Sequence, residues 1–195
     1  MIKTTNILLE ELKGYACPNH KIGRMVKYSE LIPIVKGLYE TERSTSGYLL
    51  AGSIFGPSYL SFDFALSMYG LIPEAVYTFT SATIDKKKKK QYETPFGLFT
   101  YRDVPQNVFP YGVKICEEGD YIYYIATPEK ALCDKLYTMK PVKNMKEMET
   151  LLFQDLRIDE LEFSKINQAD ILELAEIYHS TNVSLLSNYV RRKLK

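Results

Sequence analysis

The stretch that most constrains this chain is Ile122–Tyr137, IYYIATPEKALCDKLY, where a strand signal runs almost directly into a helix start. Tyr121–Ile125 is aromatic and β-branched, the composition of a pleated, half-buried strand. Thr127 is placed to cap, and Pro128 suits a first helical position because its missing N–H would find no intrahelical partner there anyway. Glu129 puts a carboxylate at the positive end of the helix dipole. Ala131, Leu132 and Leu136 make an apolar side at helical spacing, and Lys130, Asp134 and Lys135 are expected to point away from it. The stretch reads as a strand–helix hinge packed in a core, without a catalytic pattern.

Upstream, residues 1–45 form a unit of their own. Thr4 or Thr5 caps a first helix that carries Ile7, Leu8 and Leu12 and ends at Gly14. Pro18 opens a second helix running to about Lys27. At about 100° per residue, Ile22, Met25 and Val26 share one arc of it, and His20, Lys21, Arg24 and Lys27 share the other. Glu30–Val35 and Leu38–Thr41 then read as two short strands around Lys36-Gly37, with Pro33 confining the first to a sheet edge. Helix, basic amphipathic helix and hairpin is the order of a small winged helix-turn-helix, with the basic helix facing a DNA groove and the hairpin as wing. The alternative is that Lys21, Arg24 and Lys27 merely solvate a surface helix.

Glu42–Gly47 is polar and small, a linker to a larger region spanning 46–195. Tyr48–Phe55 is an apolar helix candidate broken by Gly56-Pro57, and Ser61 caps another, Phe62–Tyr69, ended by Gly70. The period then changes to two: Val76–Thr83, Gln91–Glu93 and Gly97–Arg102 read as strands, and Val113–Cys116 with Tyr121–Ile125 as a hairpin turning at Glu117–Asp120. Between the first two strands lie five adjacent lysines, Lys86, Lys87, Lys88, Lys89 and Lys90, too many charges to bury and hence a solvated tip or a phosphate-contacting finger. The last third is helical. Asn144 with Glu147 resembles a capping box, and stripes at Met145/Met148/Leu152, Ile171/Leu174/Ala175/Tyr178 and Val183/Leu186/Val190 face a core. The fold class is therefore α+β: a small N-terminal winged helix-turn-helix, then a domain with a mainly antiparallel sheet and a helical C-terminal bundle.

Composition excludes several classes. Hydrophobic residues make up 46% and charged residues 25%, an ordinary globular balance. No apolar run approaches the roughly 18 residues that cross a bilayer, and the N-terminal residues lack a signal-peptide core, so a cytoplasmic protein without membrane partners is expected. Cys17, Cys116 and Cys133 are widely spaced and unaccompanied by metal-ligand spacing, which argues against a zinc site or a disulfide framework. The net charge of +1 hides basic clusters at Lys21–Lys36, Lys86–Lys90 and Arg191–Lys195, and an acidic one between Glu147 and Glu176.

Enzyme patterns fail one by one. Gly52-Ser53 followed by Asp63 faintly resembles a nucleotidyltransferase arrangement, but Phe64 and Ala65 follow Asp63 where a second metal-holding carboxylate is needed. Glu11-Leu12-Lys13 has the letters of a nuclease motif yet falls on the first helix. Neither His20 nor His179 accompanies a nucleophile motif, and no glycine loop cradles phosphate. No catalytic site, cofactor or metal is expected.

Four blocks together resemble the AbiEi family, the antitoxin components of type IV toxin–antitoxin (abortive-infection, phage-defence) systems: Ile22–Thr41, Gly56–Glu74, Glu93–Tyr101 and Ala126–Tyr137. The resemblance implies an N-terminal winged helix-turn-helix that binds and represses the promoter of its own operon. It also implies a C-terminal domain that counters a nucleotidyltransferase-like toxin encoded beside it without a stable complex. Carried onto this chain, Lys21, Arg24 and Lys27 face the groove and Lys36 sits on the wing. Asn19, Lys21 and Arg24 are the residues placed to reach base edges, and Lys86–Lys90 would add phosphate contacts. Tyr28 departs from the small turn residue expected between helix and wing. The rival readings are a protein-interaction module, with the winged unit as a docking surface and the acidic helices meeting a basic partner, and a metal-dependent nucleic-acid enzyme. Helix-turn-helix proteins often work on paired half-sites, which is compatible with two copies on DNA, although no dimer stripe is evident on the helices.

Overall fold

The structure, a computed structural model, describes residues 1–86 and 89–193. Strand β1 (Ile2–Thr4) leads into α1 (Thr5–Glu11), where the Thr4 hydroxyl accepts the Ile7 N–H at 3.3 Å. A turn carries the chain to α2 (Pro18–Lys27), which starts at Pro18 as its sequence dictates. The hairpin of β2 (Ile32–Val35) and β3 (Leu38–Glu40) turns at Lys36-Gly37, where φ of +81° at Gly37 is a conformation a side chain would resist. The three strands form an antiparallel sheet in the order β1-β3-β2, which leaves Pro33 on an edge strand. Strand β1 has no counterpart in the sequence reading. Three residues are too short to show a period, and only pairing with β3 makes them a strand.

This sheet has two apolar faces. Tyr39 packs with Leu8, Ile22 and Leu31 beneath the two helices, while Ile34 and Leu38 join the main core on the other side. Buried Glu40 sits at that junction. Its Oε1 accepts the Thr41 N–H at 2.8 Å and the Glu42 N–H at 3.0 Å, and pairs with the Met1 amine. Burial alone would raise its pKa, but these donors outweigh it and hold the carboxyl below its ordinary value.

The rest of the chain is built on a six-stranded sheet. A 3₁₀ turn (Gly47–Leu50) runs into α3 (Ala51–Ile54), β4 (Ser58–Leu60) and α4 (Phe62–Met68). Strands β5 (Phe79–Thr83), β6 (Lys90–Thr94) and β7 (Gly97–Asp103) follow, then the hairpin β8 (Val113–Glu118) and β9 (Tyr121–Ala126). The spatial order is β6-β7-β5-β4-β9-β8. The β4–β5, β6–β7 and β8–β9 pairs are antiparallel, whereas β5–β7 and β4–β9 run parallel, so the sheet is mixed within the expected α+β class. Strand β4 falls in a stretch that reads as a break between helices, and β5 begins at Phe79 rather than Val76.

Helix α5 (Pro128–Tyr137) leaves β9 with the predicted cap, the Thr127 hydroxyl accepting the Lys130 N–H at 3.3 Å. It is sandwiched between α4 and the C-terminal helices, chiefly α8 and α9. These helices are α6 (Met145–Thr150), α7 (Glu160–Lys165), α8 (Gln168–Tyr178) and α9 (Thr181–Lys193), with a π-helical turn (Leu151–Asp155) extending α6. Of their predicted stripes, Met148, Leu152, Ile171, Leu174, Tyr178, Val183, Leu186 and Val190 are buried, while Met145 and Ala175 are half-buried. Asn182 on α9 ties off the end of α5: its Nδ2 donates to the Leu136 carbonyl at 3.0 Å and its Oδ1 accepts the Val142 N–H at 2.9 Å. Among the described residues no helix is long and apolar enough to cross a membrane.

The segment joining the winged unit to the larger sheet admits little change at Gly47. A Cβ there would lie 2.6 Å from Phe79 Cζ and 2.6 Å from the Phe96 carbonyl oxygen. Gly47→Ala is therefore expected to destabilise by about 1–3 kcal/mol through overpacking. That corresponds to a fall of about 2–4 °C in Tm per kcal/mol for a chain of this size. A thermal melt followed by circular dichroism measures it, and an unchanged Tm would contradict the close approach.

Candidate nucleic-acid interface

Helix α2 presents its cationic arc outward. Ile22 is buried and Met25 and Val26 are half-buried, because Leu8 and Leu31 lie under that face. Asn19, His20, Arg24 and Lys27 are exposed on the opposite side. Asn19, Arg24 and Lys27 line one open depression of about 700 Å³ between α2 and the turn that precedes it. Lys21 differs: it is half-buried, with its Nζ 5.9 Å from the centre of the Tyr15 ring. Its aliphatic stem thus covers apolar surface while its charge stays near the helix edge. The wing residue Lys36 is exposed at the hairpin turn. Tyr28 is exposed just beyond α2, and the sharp reversal expected of a small residue is taken instead by Ser29, at φ +60°.

The described lysines of the run have different settings. Lys86 is half-buried: its N–H donates to the Asp103 carboxylate at 3.0 Å, and its Nζ lies 5.0 Å over the Phe55 ring. Lys87 and Lys88 lie outside the described residues. Lys89 and Lys90 are exposed, and Lys90 opens β6, opposite Tyr101 on β7. Because β2 of the winged unit packs beside β6, the wing and the strand that starts at Lys90 are neighbours.

The largest departure from the sequence reading lies inside the body. Lys130 and Asp134, expected to point away from the core, are completely buried on α5. Lys130 Nζ lies 3.1 Å from Asp134 Oδ1 and donates to the Tyr178 hydroxyl at 2.5 Å. Tyr178 also hydrogen-bonds Asp134 Oδ1. The other carboxylate oxygen accepts from Ser61 at 2.7 Å and Tyr59 at 3.0 Å. The ammonium further lies 4.6 Å and 5.6 Å from the ring centres of Tyr178 and Tyr59. Ser61 stands at the start of α4, yet its hydroxyl serves Asp134 rather than capping that helix. Burial pulls the Lys130 pKa below its ordinary value against the opposing pull of Asp134. Burial and the Asp134 charge push the Tyr59 and Tyr178 phenols well above theirs.

This hub is closed to solvent and therefore structural, joining β4, α5 and α8. The sequence did carry a signal for it. Lys130 and Asp134 stand at i and i+4 on a helix whose intervening residues, Ala131, Leu132 and Cys133, span too wide an arc for one apolar face. A helix covered all round forces its polar residues to pair inside.

The remaining titratable residues tested against enzyme patterns have ordinary settings. Asp63 pairs with Lys135 at 2.6 Å, Glu11 pairs with Lys3 at 2.6 Å, and both histidines are exposed. No cluster of three or more His, Cys, Asp or Glu side chains suited to a metal ion occurs among the described residues. The fold is α+β: two short helices on a three-stranded antiparallel sheet, joined to a mixed six-stranded sheet and C-terminal helices, with the exposed cationic arc on α2. No protein-family model matches the chain, and no curated protein matches it.

Proposed function

We propose that this is a cytoplasmic DNA-binding antitoxin and autorepressor of the AbiEi type. It would act without catalysis, repress its own promoter and counter a nucleotidyltransferase-like toxin. The observation that carries the reading is the outward arc of α2, where Asn19, Arg24 and Lys27 share one open depression on the second helix of a winged helix-turn-helix. That helix enters the major groove in DNA-binding members of this architecture. Asn and Arg offer bidentate donor patterns to base edges, and Lys supplies phosphate charge. The four sequence blocks that resemble AbiEi antitoxins supply the operon context.

Fluorescence anisotropy of a duplex from upstream of the gene, against a scrambled duplex, tests the proposal at several salt concentrations. Each neutralised phosphate adds about −0.9 to the slope of log affinity against log salt. The expected result is preference for the native duplex with a slope of several units, and rescue of cell growth when the protein is co-expressed with the neighbouring gene product. Weak binding, equal on the two duplexes, overturns the regulator reading.

A further inference from the structure

The six-stranded sheet ends differently on its two sides. At one end β6 is flanked by β2 of the N-terminal sheet, and at the other, among the described residues, β8 has β9 as its single sheet neighbour. Edge strands are ordinarily blunted by proline, bulges or brevity, because their free N–H and C=O groups template pairing with another chain. Strand β8 has none of these three, with six residues, no proline and an uninterrupted register with β9 from Val113↔Ala126 to Glu118↔Tyr121, and carries instead the charges of Lys114, Glu117 and Glu118. One of its faces is open, apolar at Ile115 and charged at Glu117. Ile115 is 67% exposed, opposite Tyr124 at 45%, with Ile122 at 60% on the adjoining position of β9.

The charges on β8 name the occupant. Lys114 and Glu118 lie on one face of the strand, two residues either side of Cys116, where Lys114 Nζ lies 5.7 Å from the centre of the Tyr69 ring and Glu118 accepts from the Tyr48 hydroxyl at 2.6 Å. An antiparallel copy of β8 centred on Cys116 sets Lys114 against Glu118 of the second copy and Glu118 against its Lys114. This reciprocity is the signature of a two-fold interface, in which residue i meets j and j meets i. Opposite charges directly across an antiparallel pair are favourable, and like charges are not. The same register sets each Ile115 across from Glu117 of the other copy and brings the two Ile115 side chains into diagonal neighbourhood, roughly 7–8 Å apart. We propose that β8 is a homodimerisation edge through which a second copy of this chain extends the sheet. The proposal concerns the protein alone and does not rest on the DNA-binding reading.

Sedimentation velocity of the full chain without DNA, with circular dichroism to confirm folding, tests it. The wild type is expected to dimerise at micromolar concentration. Lys114→Glu and Glu118→Lys each oppose like charges twice per dimer, and each should weaken dimerisation about tenfold or more. Mixing the two variants pairs each residue at 114 with an opposite charge at 118, so the mixture should associate more tightly than either variant alone. The double variant K114E/E118K should dimerise as the wild type does. A wild type that stays monomeric at several hundred micromolar overturns the proposal. So does a dimer indifferent to the single exchanges, or a mixture that does not associate.

Discussion

Asp134→Ala is expected to lower the unfolding free energy by about 3–5 kcal/mol, the cost of leaving one member of a buried ion pair without its partner. Four groups donate to this carboxylate, and each loses its acceptor at once: Lys130, Tyr178, Tyr59 and Ser61. The lysine cannot escape to water, because its side chain is completely covered. The chain has no tryptophan, so urea unfolding is best followed by far-ultraviolet circular dichroism. Two controls separate charge from packing. Lys130→Met removes the cation but keeps the stem, and should cost less than Asp134→Ala because the carboxylate retains three hydroxyl donors. Lys130→Met with Asp134→Leu replaces the pair by apolar groups and should recover much of the loss, since such exchanges are often neutral or stabilising. A loss below about 1 kcal/mol in Asp134→Ala would mean that the carboxylate is not holding the hub together.

The hub also marks where sequence reading stops. Local chemistry is legible wherever a residue acts within its own turn: Thr127 caps α5, Asn144 caps α6 by accepting the Glu147 N–H at 3.0 Å, and Pro18 opens α2. The hairpin is legible where its residues alternate, but its turn is Gly119-Asp120 rather than Glu117–Asp120, because Glu117 and Glu118 continue β8 in register with Ile122 and Tyr121. What stays hidden is set by distant partners. Strands β1 and β4 have three residues each and exist through pairing with β3, and with β5 and β9. The parallel β5–β7 pairing depends on β6 turning back along the outer edge, which no periodicity encodes. A helix wheel places Lys130 on the surface because it assumes one solvated face, and α5 has none: helices cover the side away from the sheet. The α2 arc was legible for the converse reason. A helix at the periphery obeys its own amphipathic pattern, and Lys21, which departs from it, lies beside Tyr15.

That contrast makes α2 the place where a substitution should change function and leave the fold alone. Arg24 and Lys27 are exposed and outside the Leu8/Ile22/Leu31 cluster, so Arg24→Ala/Lys27→Ala should stay within about 0.5 kcal/mol of wild-type stability. On DNA the two changes should separate. An arginine seated on a guanine edge contributes about 1–3 kcal/mol of discrimination, so Arg24→Ala should collapse most of the difference between native and scrambled duplexes. Lys27→Ala should instead weaken binding to both alike and reduce the salt slope by about 0.9, as loss of one phosphate contact requires. Lys89→Ala/Lys90→Ala asks whether the body contributes as well. Reduction of the slope by about two contacts would place β6 on the duplex beside the wing, and an unchanged slope would confine contact to the winged unit. Lys21 makes a poorer probe, because truncating it also removes a stem that covers apolar surface and mixes stability into the readout. Wild-type affinity in Arg24→Ala/Lys27→Ala would reject α2 as the reading helix, whatever else the protein binds.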